Sequence, residues 1–433
     1  MTIQKLRPAN SLIGTIHLPG DKSISHRAAI LSAMAEGETR IENFAASQDC
    51  SSTLGCLSAL GVQIDRRADS VVIDGLGKRG FRRPAALLDC GNSGTTMRLM
   101  AGMLAGQAFD STLTGDDSLS RRPMGRVIEP LSLMGAQLVS SDGRAPLTIG
   151  RGGSLIGIEY TLPVASAQIK SCILLAGLNA TGKTTVVEPV ATRDHTERML
   201  RWLGADVLAT DHEGGCQISV SGDSKLSARN LSVPADISSG AFLMVAAACL
   251  PGSRVEMPKV GLNPSRRAIL DVLTRSGADI EIGSETEECG EPVATIVIRG
   301  GLRDCEPLKV LRDGIIANLI DEIPILAVLG TQLKGGLEIR DAAELRVKES
   351  DRIRSVVMNL RKMGAHIEEF ADGFRVEKSA LHGTEVDSFA DHRVGMAFAI
   401  AGLVADGETT ILGAECADVS FPRFFETLES VVR

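Results

Sequence analysis

The chain has 433 residues, 44 % of them hydrophobic, and a formal net charge of −8, enough apolar material for two or three domains with substantial cores. The acidic balance, one Trp, one Tyr and 3 % aromatics argue against a nucleic-acid partner, because neither a basic field nor stacking platforms are present. The longest apolar stretch, residues 241–250, is about half a membrane span, so no membrane partner is expected.

From the N-terminus, MTIQKLRPANSL lacks a signal-peptide core, and a cytoplasmic location is expected. Residues 3–7 and 12–18 alternate like strands. LPGDKSISHR (18–27) follows and enters a helix. From here two patterns interleave along the chain. The first is a helix end followed by an aliphatic residue: LGVQI (60–64), MGAQL (134–138), LGADV (203–207), SGADI (276–280) and MGAHI (363–367). Glycine at such an end accepts the left-handed conformation that stops a helix, and a period-2 strand follows. The second runs from an Ala/Leu-rich helix through a Gly turn into a β-branched stretch, as in MAEGETRIEN, MLAGQAFDSTLTG, NATGKTTVVEP, CLPGSRVEMP, LKGGLEIRD and VADGETTILG. Together they predict a mixed α/β (α+β) chain of six βαβαββ units. The sixth unit stops after the start of its helix FPRFFETLESVVR, and residues 3–7 and 12–18 are expected to supply its missing strands. The chain then divides into a discontinuous domain, residues 1–20 plus 235–433, and an inserted domain, residues 21–234, with three units each. The nine cysteines form no CxxC pair and have no His at zinc spacing, which predicts reduced thiols packed as small hydrophobes and no metal or disulfide.

Segments entering the first helix of each unit fall at equivalent places: PGDKSISHR, CGNSGTTMR, PVASAQIK, PADISSG, LIDEIP and FADHRVG. The second helices open with SRRPMGR, TRDHTER, NPSRR and RVKESDR. Lys22, Arg27, Arg122, Arg193, Lys348, Arg352 and Arg393 all lie at or near predicted helix starts. The helix dipole disfavours cations there unless an anionic ligand occupies the site, where free N–H groups and forked guanidinium groups both serve phosphate and carboxylate. Asp321 and Glu349 stand among these cations, as a general base or acid would. Small, multiply anionic metabolites are the substrates this implies, bound in a cleft between the domains.

Residues 177–184, GLNATGKT, match the phosphate-loop pattern. The context is inverted, since helix precedes and strand follows, and no nucleotide is expected. His26, His195 and His392 are too dispersed for metal patterns and are assigned hydrogen-bonding roles. Ser23 and Ser166 lack a G-x-S-x-G elbow and read as hydroxyls beside anion-binding cations.

The loops LPGDKSISHR, GNSGTTMR, DSLSRRPMGR, ASAQIKS, LIDEIP, ELRVKESDR and DHRVGMAF resemble those of the 5-enolpyruvylshikimate-3-phosphate synthase family over the whole chain. The resemblance implies two domains, each an inside-out α/β barrel of three units. It also implies transfer of the enolpyruvyl group of phosphoenolpyruvate to the 5-hydroxyl of shikimate 3-phosphate, through a tetrahedral addition and elimination intermediate and without cofactor or metal. By motif, Lys22, Ser23, Arg27, Ser166, Gln168 and Arg193 would hold shikimate 3-phosphate, and Asp321 and Lys348 its hydroxyl region. Lys22, Gly94, Arg122, Gln168, Arg352 and Arg393 would hold phosphoenolpyruvate. Asp321, Glu349 and Lys22 would be catalytic, Asp321 taking the hydroxyl proton and Glu349 protonating the methylene carbon. A monomer is implied, and glyphosate as a competitive inhibitor, because Gly94 leaves room that Ala fills in tolerant members. Some members carry a C-terminal Lys where ADVSFPRFF offers Ser420. UDP-N-acetylglucosamine enolpyruvyl transferase, which shares fold and donor, is the alternative; its loop Cys has no counterpart in SRRPMGR.

Overall fold

The computed structural model describes residues 2–67, 69–212, 214–305, 308 and 310–433. The chain forms two compact mixed α/β units. One holds the residues up to Pro19 with Ala235–Thr286 and Pro292–Arg433; the other holds Gly20–Pro234 with Glu287–Glu291.

In the unit built on residues 20–234, the helices Lys22–Met34, Gly94–Leu104 and Ala167–Gly177 are buried over most of their surface. Their sequences are apolar or small almost all round, which suits a helix with no solvent face. Gly102 shows how close two of them pass: a Cβ there would meet the Cys172 carbonyl oxygen at 2.1 Å, so only glycine fits. Three sheets contribute side chains to this core. In one, Glu159–Thr161 runs parallel to Lys183–Glu188, which pairs antiparallel with Gly215–Ser221, and Val207–His212 lies outside that strand. Leu88–Asp89, Ser111–Thr114, Arg144–Ile149 and Leu138–Ser141 repeat that order. In the third, Leu231–Ser232 pairs parallel with Glu36–Glu42, followed by Ser70–Leu76 and Gln63–Arg66.

The other unit has its own core, built on the helices Ile237–Cys249, Ile323–Gln332 and His392–Val404, which pack on one another. Val310–Leu311, Leu337–Ile339, Gly373–Val376 and Ile367–Phe370 form one sheet in the order just described. Of the two N-terminal strands, one meets expectation and the other departs from it. Ile3–Leu6 pairs antiparallel with Thr409–Leu412, itself parallel to Glu385–Asp387. Ile13–Thr15, however, opens a different sheet, parallel to Arg254–Gly261. Alternation specifies that a segment is a strand but not which sheet edge accepts it.

All five pattern glycines, Gly61, Gly135, Gly204, Gly277 and Gly364, have φ between +88° and +96°, the left-handed helix end their spacing predicts. Residues 177–184 leave a helix that ends at Gly177 and enter the strand Lys183–Glu188, the inverse of a phosphate loop. The cysteines are free, but Cys305 is exposed and Cys216 and Cys249 are half-buried, so packing as core hydrophobes describes only the other six. Among the described residues no helix is long and apolar enough to cross a membrane.

Candidate active site

The residues 20–234 bring one set of candidates together. Asp21 caps the helix Lys22–Met34, its Oδ1 accepting from the Ile24 N–H at 2.9 Å. That carboxylate offsets the cost of a lysine at the first helical position. Lys22 Nζ donates to Asp49 Oδ2 at 3.1 Å. One turn later, Arg27 is 3 % exposed. Its Nε donates to Thr196 Oγ1 at 2.7 Å, its Nη2 to Ser171 Oγ at 2.8 Å and its Nη1 to the Ser23 carbonyl at 2.9 Å. All three acceptors are neutral. Burial pushes the Arg27 pKa down to about 10, opposed by Glu197 and Asp21 and assisted by the charge of Arg193, so the guanidinium remains cationic at neutral pH. His26 is also buried, with Nδ1 2.7 Å from Thr53 Oγ1. Burial, then Lys22 and Arg27, hold its pKa well below the usual histidine value, and it stays neutral in a cationic neighbourhood.

Ser93 caps the helix that Gly94 begins, accepting from the Thr96 N–H at 3.1 Å. A Cβ on Gly94 would lie 2.9 Å from Arg98 Nη1 and 3.4 Å from Arg122 Nη1. Arg98 Nη1 donates to Gln168 Oε1 at 2.6 Å, and Gln168 Nε2 to Thr95 Oγ1 at 2.8 Å. Arg122 Nη2 donates to Asn92 Oδ1 at 2.9 Å. Gly94, Arg98, Arg122 and Gln168 therefore form one cluster. Ser166 caps the helix Ala167–Gly177 through the Ile169 N–H, and Arg193 lies half-buried two residues before the helix His195–Trp202.

The second set lies in the other unit and centres on Arg352, which is 2 % exposed. Its Nε donates to Asp391 Oδ2 at 2.8 Å, its Nη2 to Glu349 Oε2 at 2.6 Å and its Nη1 reaches Asp321 Oδ1 at 3.5 Å. Burial disfavours its charge, but Asp391, Glu349 and Asp321 outweigh burial and raise its pKa. Asp391 also caps the helix His392–Val404 through the Arg393 N–H at 2.9 Å. Arg393 Nη1 donates to the Ser238 carbonyl at 3.3 Å, and its guanidinium lies 5.9 Å from the Phe242 ring centre. Lys348 Nζ pairs with Glu344 Oε1 at 2.6 Å. Ser420 is buried at the end of the turn Ala414–Val419.

The helix-start expectation needs correction in detail. Lys22 and Arg352 are first in their helices and Arg393 second. Arg27 sits in a second turn, Arg122 in a connector between Asp117–Ser120 and Gly125–Leu133, and Lys348 just after the 3₁₀ turn Ala343–Val347. Where a cation does open a helix, an Asp cap precedes it: Asp21, Asp351 or Asp391. Asp49, Arg98 and Asp391 were not singled out in sequence. Arg98 follows Gly94 by four residues, the spacing that places two residues on one helix face, and that signal would have found it. Among the described residues, no group of three or more His, Cys, Asp and Glu side chains is arranged to hold a metal ion.

The family model for EPSP synthase (3-phosphoshikimate 1-carboxyvinyltransferase) matches residues 6–428. A 3-phosphoshikimate 1-carboxyvinyltransferase from Koribacter versatilis is 49 % identical over 431 residues, covering 99 % of both chains. One from Geobacillus kaustophilus is 49 % identical over 430 residues, covering 98 % of both. The solved structure of EPSP synthase from Acinetobacter baumannii aligns with a TM-score of 0.88 at 42 % identity, covering 100 % of this chain and 98 % of that one. With cations, carboxylates and a matching fold over its whole length, the chain belongs to the EPSP synthase family, the 3-phosphoshikimate 1-carboxyvinyltransferases.

Proposed function

We propose that this chain transfers the enolpyruvyl group of phosphoenolpyruvate to the 5-hydroxyl of shikimate 3-phosphate and releases phosphate. The observation that carries this reading is the Arg352 centre, where one buried guanidinium holds Glu349 and Asp321 together. Two carboxylates beside a cation that an anionic substrate can engage suit a reaction in which one proton is taken from oxygen and another given to carbon. Asp321 takes the hydroxyl proton as the oxygen bonds to C2 of phosphoenolpyruvate. The π electrons of the double bond meanwhile take a proton from Glu349 at C3. In the second half a C3 proton returns to a carboxylate, the C2–O bond to phosphate breaks and the enol ether remains. Arg122, Arg352 and Arg393 stabilise the charge on the departing phosphate, so no step calls for a metal or cofactor.

Lys22, Ser23, Arg27, Ser166, Gln168 and Arg193 hold the acceptor in this reading, and Lys22, Gly94, Arg122, Gln168, Arg352 and Arg393 hold the donor. The common strand order of the sheets supports reading each unit as an inside-out barrel of three βαβαββ repeats. The absence of a side chain at Gly94, close beside Arg98 and Arg122, supports competition by glyphosate. The test is phosphate release from phosphoenolpyruvate in the presence of a chelator and without nucleotide. Release that depends on shikimate 3-phosphate is expected. Release that instead depends on the UDP-sugar acceptor, or none with either acceptor, overturns the assignment.

A further inference from the structure

Lys170 takes no part in the chemistry above, yet it is among the largest fully buried side chains, 1 % exposed. Its ammonium sits between Glu188 Oε2 at 2.8 Å and Glu197 Oε1 at 2.7 Å. A hydrophobic trio of the same volume is commonly at least as stable as a buried ammonium set between two carboxyl groups. Stability of the core therefore does not account for the cluster. What it does, and apolar side chains do not, is tie three segments together at fixed atoms.

Glu188 ends the strand Lys183–Glu188 and accepts from the hydroxyl of Thr192 and, at 3.5 Å, from its N–H. Thr192 immediately precedes Arg193. Glu197 immediately follows Thr196, whose hydroxyl receives Arg27 Nε at 2.7 Å. Ser171, next to Lys170, receives Arg27 Nη2 at 2.8 Å and shares a 2.7 Å bond with the Thr196 hydroxyl. Through Glu188 and Glu197, then, Lys170 is linked from one helix to the residue before Arg193 and to the neighbour of Thr196, which holds Arg27, without lying among the residues assigned to substrate.

We infer that Lys170, through Glu188 and Glu197, is a positioning residue for the acceptor's phosphate site, setting the places of Arg27 and Arg193. The inference rests on the function proposed above. Small displacements of binding groups lower affinity steeply, and here they weaken acceptor and donor unequally. For K170M the KM for shikimate 3-phosphate rises about 10- to 100-fold, while kcat and the KM for phosphoenolpyruvate change by less than about threefold. K170R restores part of the acceptor affinity.

Should K170M fail to fold, T192V decides. It leaves all three buried charges in place and cuts only the hydroxyl link to the segment bearing Arg193. Its expected effect is a rise of about three- to tenfold in the same KM with unchanged melting temperature. An unchanged acceptor KM in the decisive variant, or equal rises for both substrates, overturns the inference. Calorimetric titration with inorganic phosphate separates this from the functional reading. Wild-type protein that binds phosphate but never turns over shikimate 3-phosphate sinks the reaction and not the positioning role, provided that K170M, or T192V in its place, binds phosphate more weakly.

Discussion

Arg27 and Arg352 are both buried guanidinium groups, one in each unit, and their surroundings are opposite. Arg27 is held by two hydroxyls and a carbonyl; Arg352 is held by three carboxylates. Neutral acceptors orient a cation without cancelling it, so Arg27 keeps its positive charge available to an external dianion. A carboxylate cluster neutralises its cation in the resting state. An anion that engages Arg352 must displace Asp321 or Glu349, which frees those groups for proton transfer. On the proposed function, the same residue type serves as a binding post in one unit and as a coupling element in the other.

The sharpest way to break this comparison is to remove each arginine. R352M leaves three carboxylates around an uncompensated site and is expected to cost about 3–5 kcal/mol, with activity abolished. R27M leaves hydroxyls that can bond each other, and its unfolding free energy should fall by less than half as much. Its main loss is in the KM for shikimate 3-phosphate, about 10- to 100-fold, the equivalent of one charge-assisted hydrogen bond. Denaturant titration of both variants decides the matter, since equal destabilisation would erase the distinction.

A smaller effect is expected at Gly94. The methyl of G94A lies 2.9 Å from Arg98 Nη1 and 3.4 Å from Arg122 Nη1, and both are ends of flexible side chains that can shift. The KM for phosphoenolpyruvate should rise severalfold, and the inhibition constant for glyphosate, the longer ligand, by a larger factor. Inhibition that is equally strong in both proteins would show that the lack of a side chain at Gly94 is not what admits it.

The smallest effect concerns the positive neighbourhood of Arg27. His26 is neutral in the folded chain, its pKa depressed by burial, Lys22 and Arg27. The unfolded chain takes up its proton near the ordinary value of 6.5. Below that pH the unfolded state binds more protons, so this contribution is complete above 6.5 and is lost as pH falls toward the folded pKa, by about 1.4 kcal/mol per pH unit. H26N should show a correspondingly flatter decline in urea midpoint between pH 7.5 and 5.5. Parallel declines would mean that His26 is not held neutral.

Much of the mixed α/β architecture was legible because its signals are local. A glycine at a helix end needs φ > 0 whatever lies around it, and the inverted context of GLNATGKT can be read without a partner. The misplacement of Ile13–Thr15 has the opposite cause: pairing with Arg254–Gly261 is a choice between sheet edges some 240 residues away in sequence, and no local pattern encodes it. The candidate site divides the same way. Lys22, Arg27, Arg352 and Arg393 stand in short, charged segments within the first two turns of helices. Of their partners, Thr196 and Ser171 fall inside the quoted segments TRDHTER and ASAQIKS and Asp49 outside any, and only the fold selects these three. Lys170 was present in the quoted segment PVASAQIK, but nothing in the sequence distinguishes a buried lysine from a solvated one.

The most direct measurement is the identity of the product. Phosphoenolpyruvate and shikimate 3-phosphate incubated with this protein and a chelator, then followed by phosphorus NMR and mass spectrometry, should give free phosphate together with one molecule carrying both the shikimate phosphate and an enolpyruvyl ether. Phosphate appearing with shikimate 3-phosphate unmodified would mean simple hydrolysis and would contradict the account.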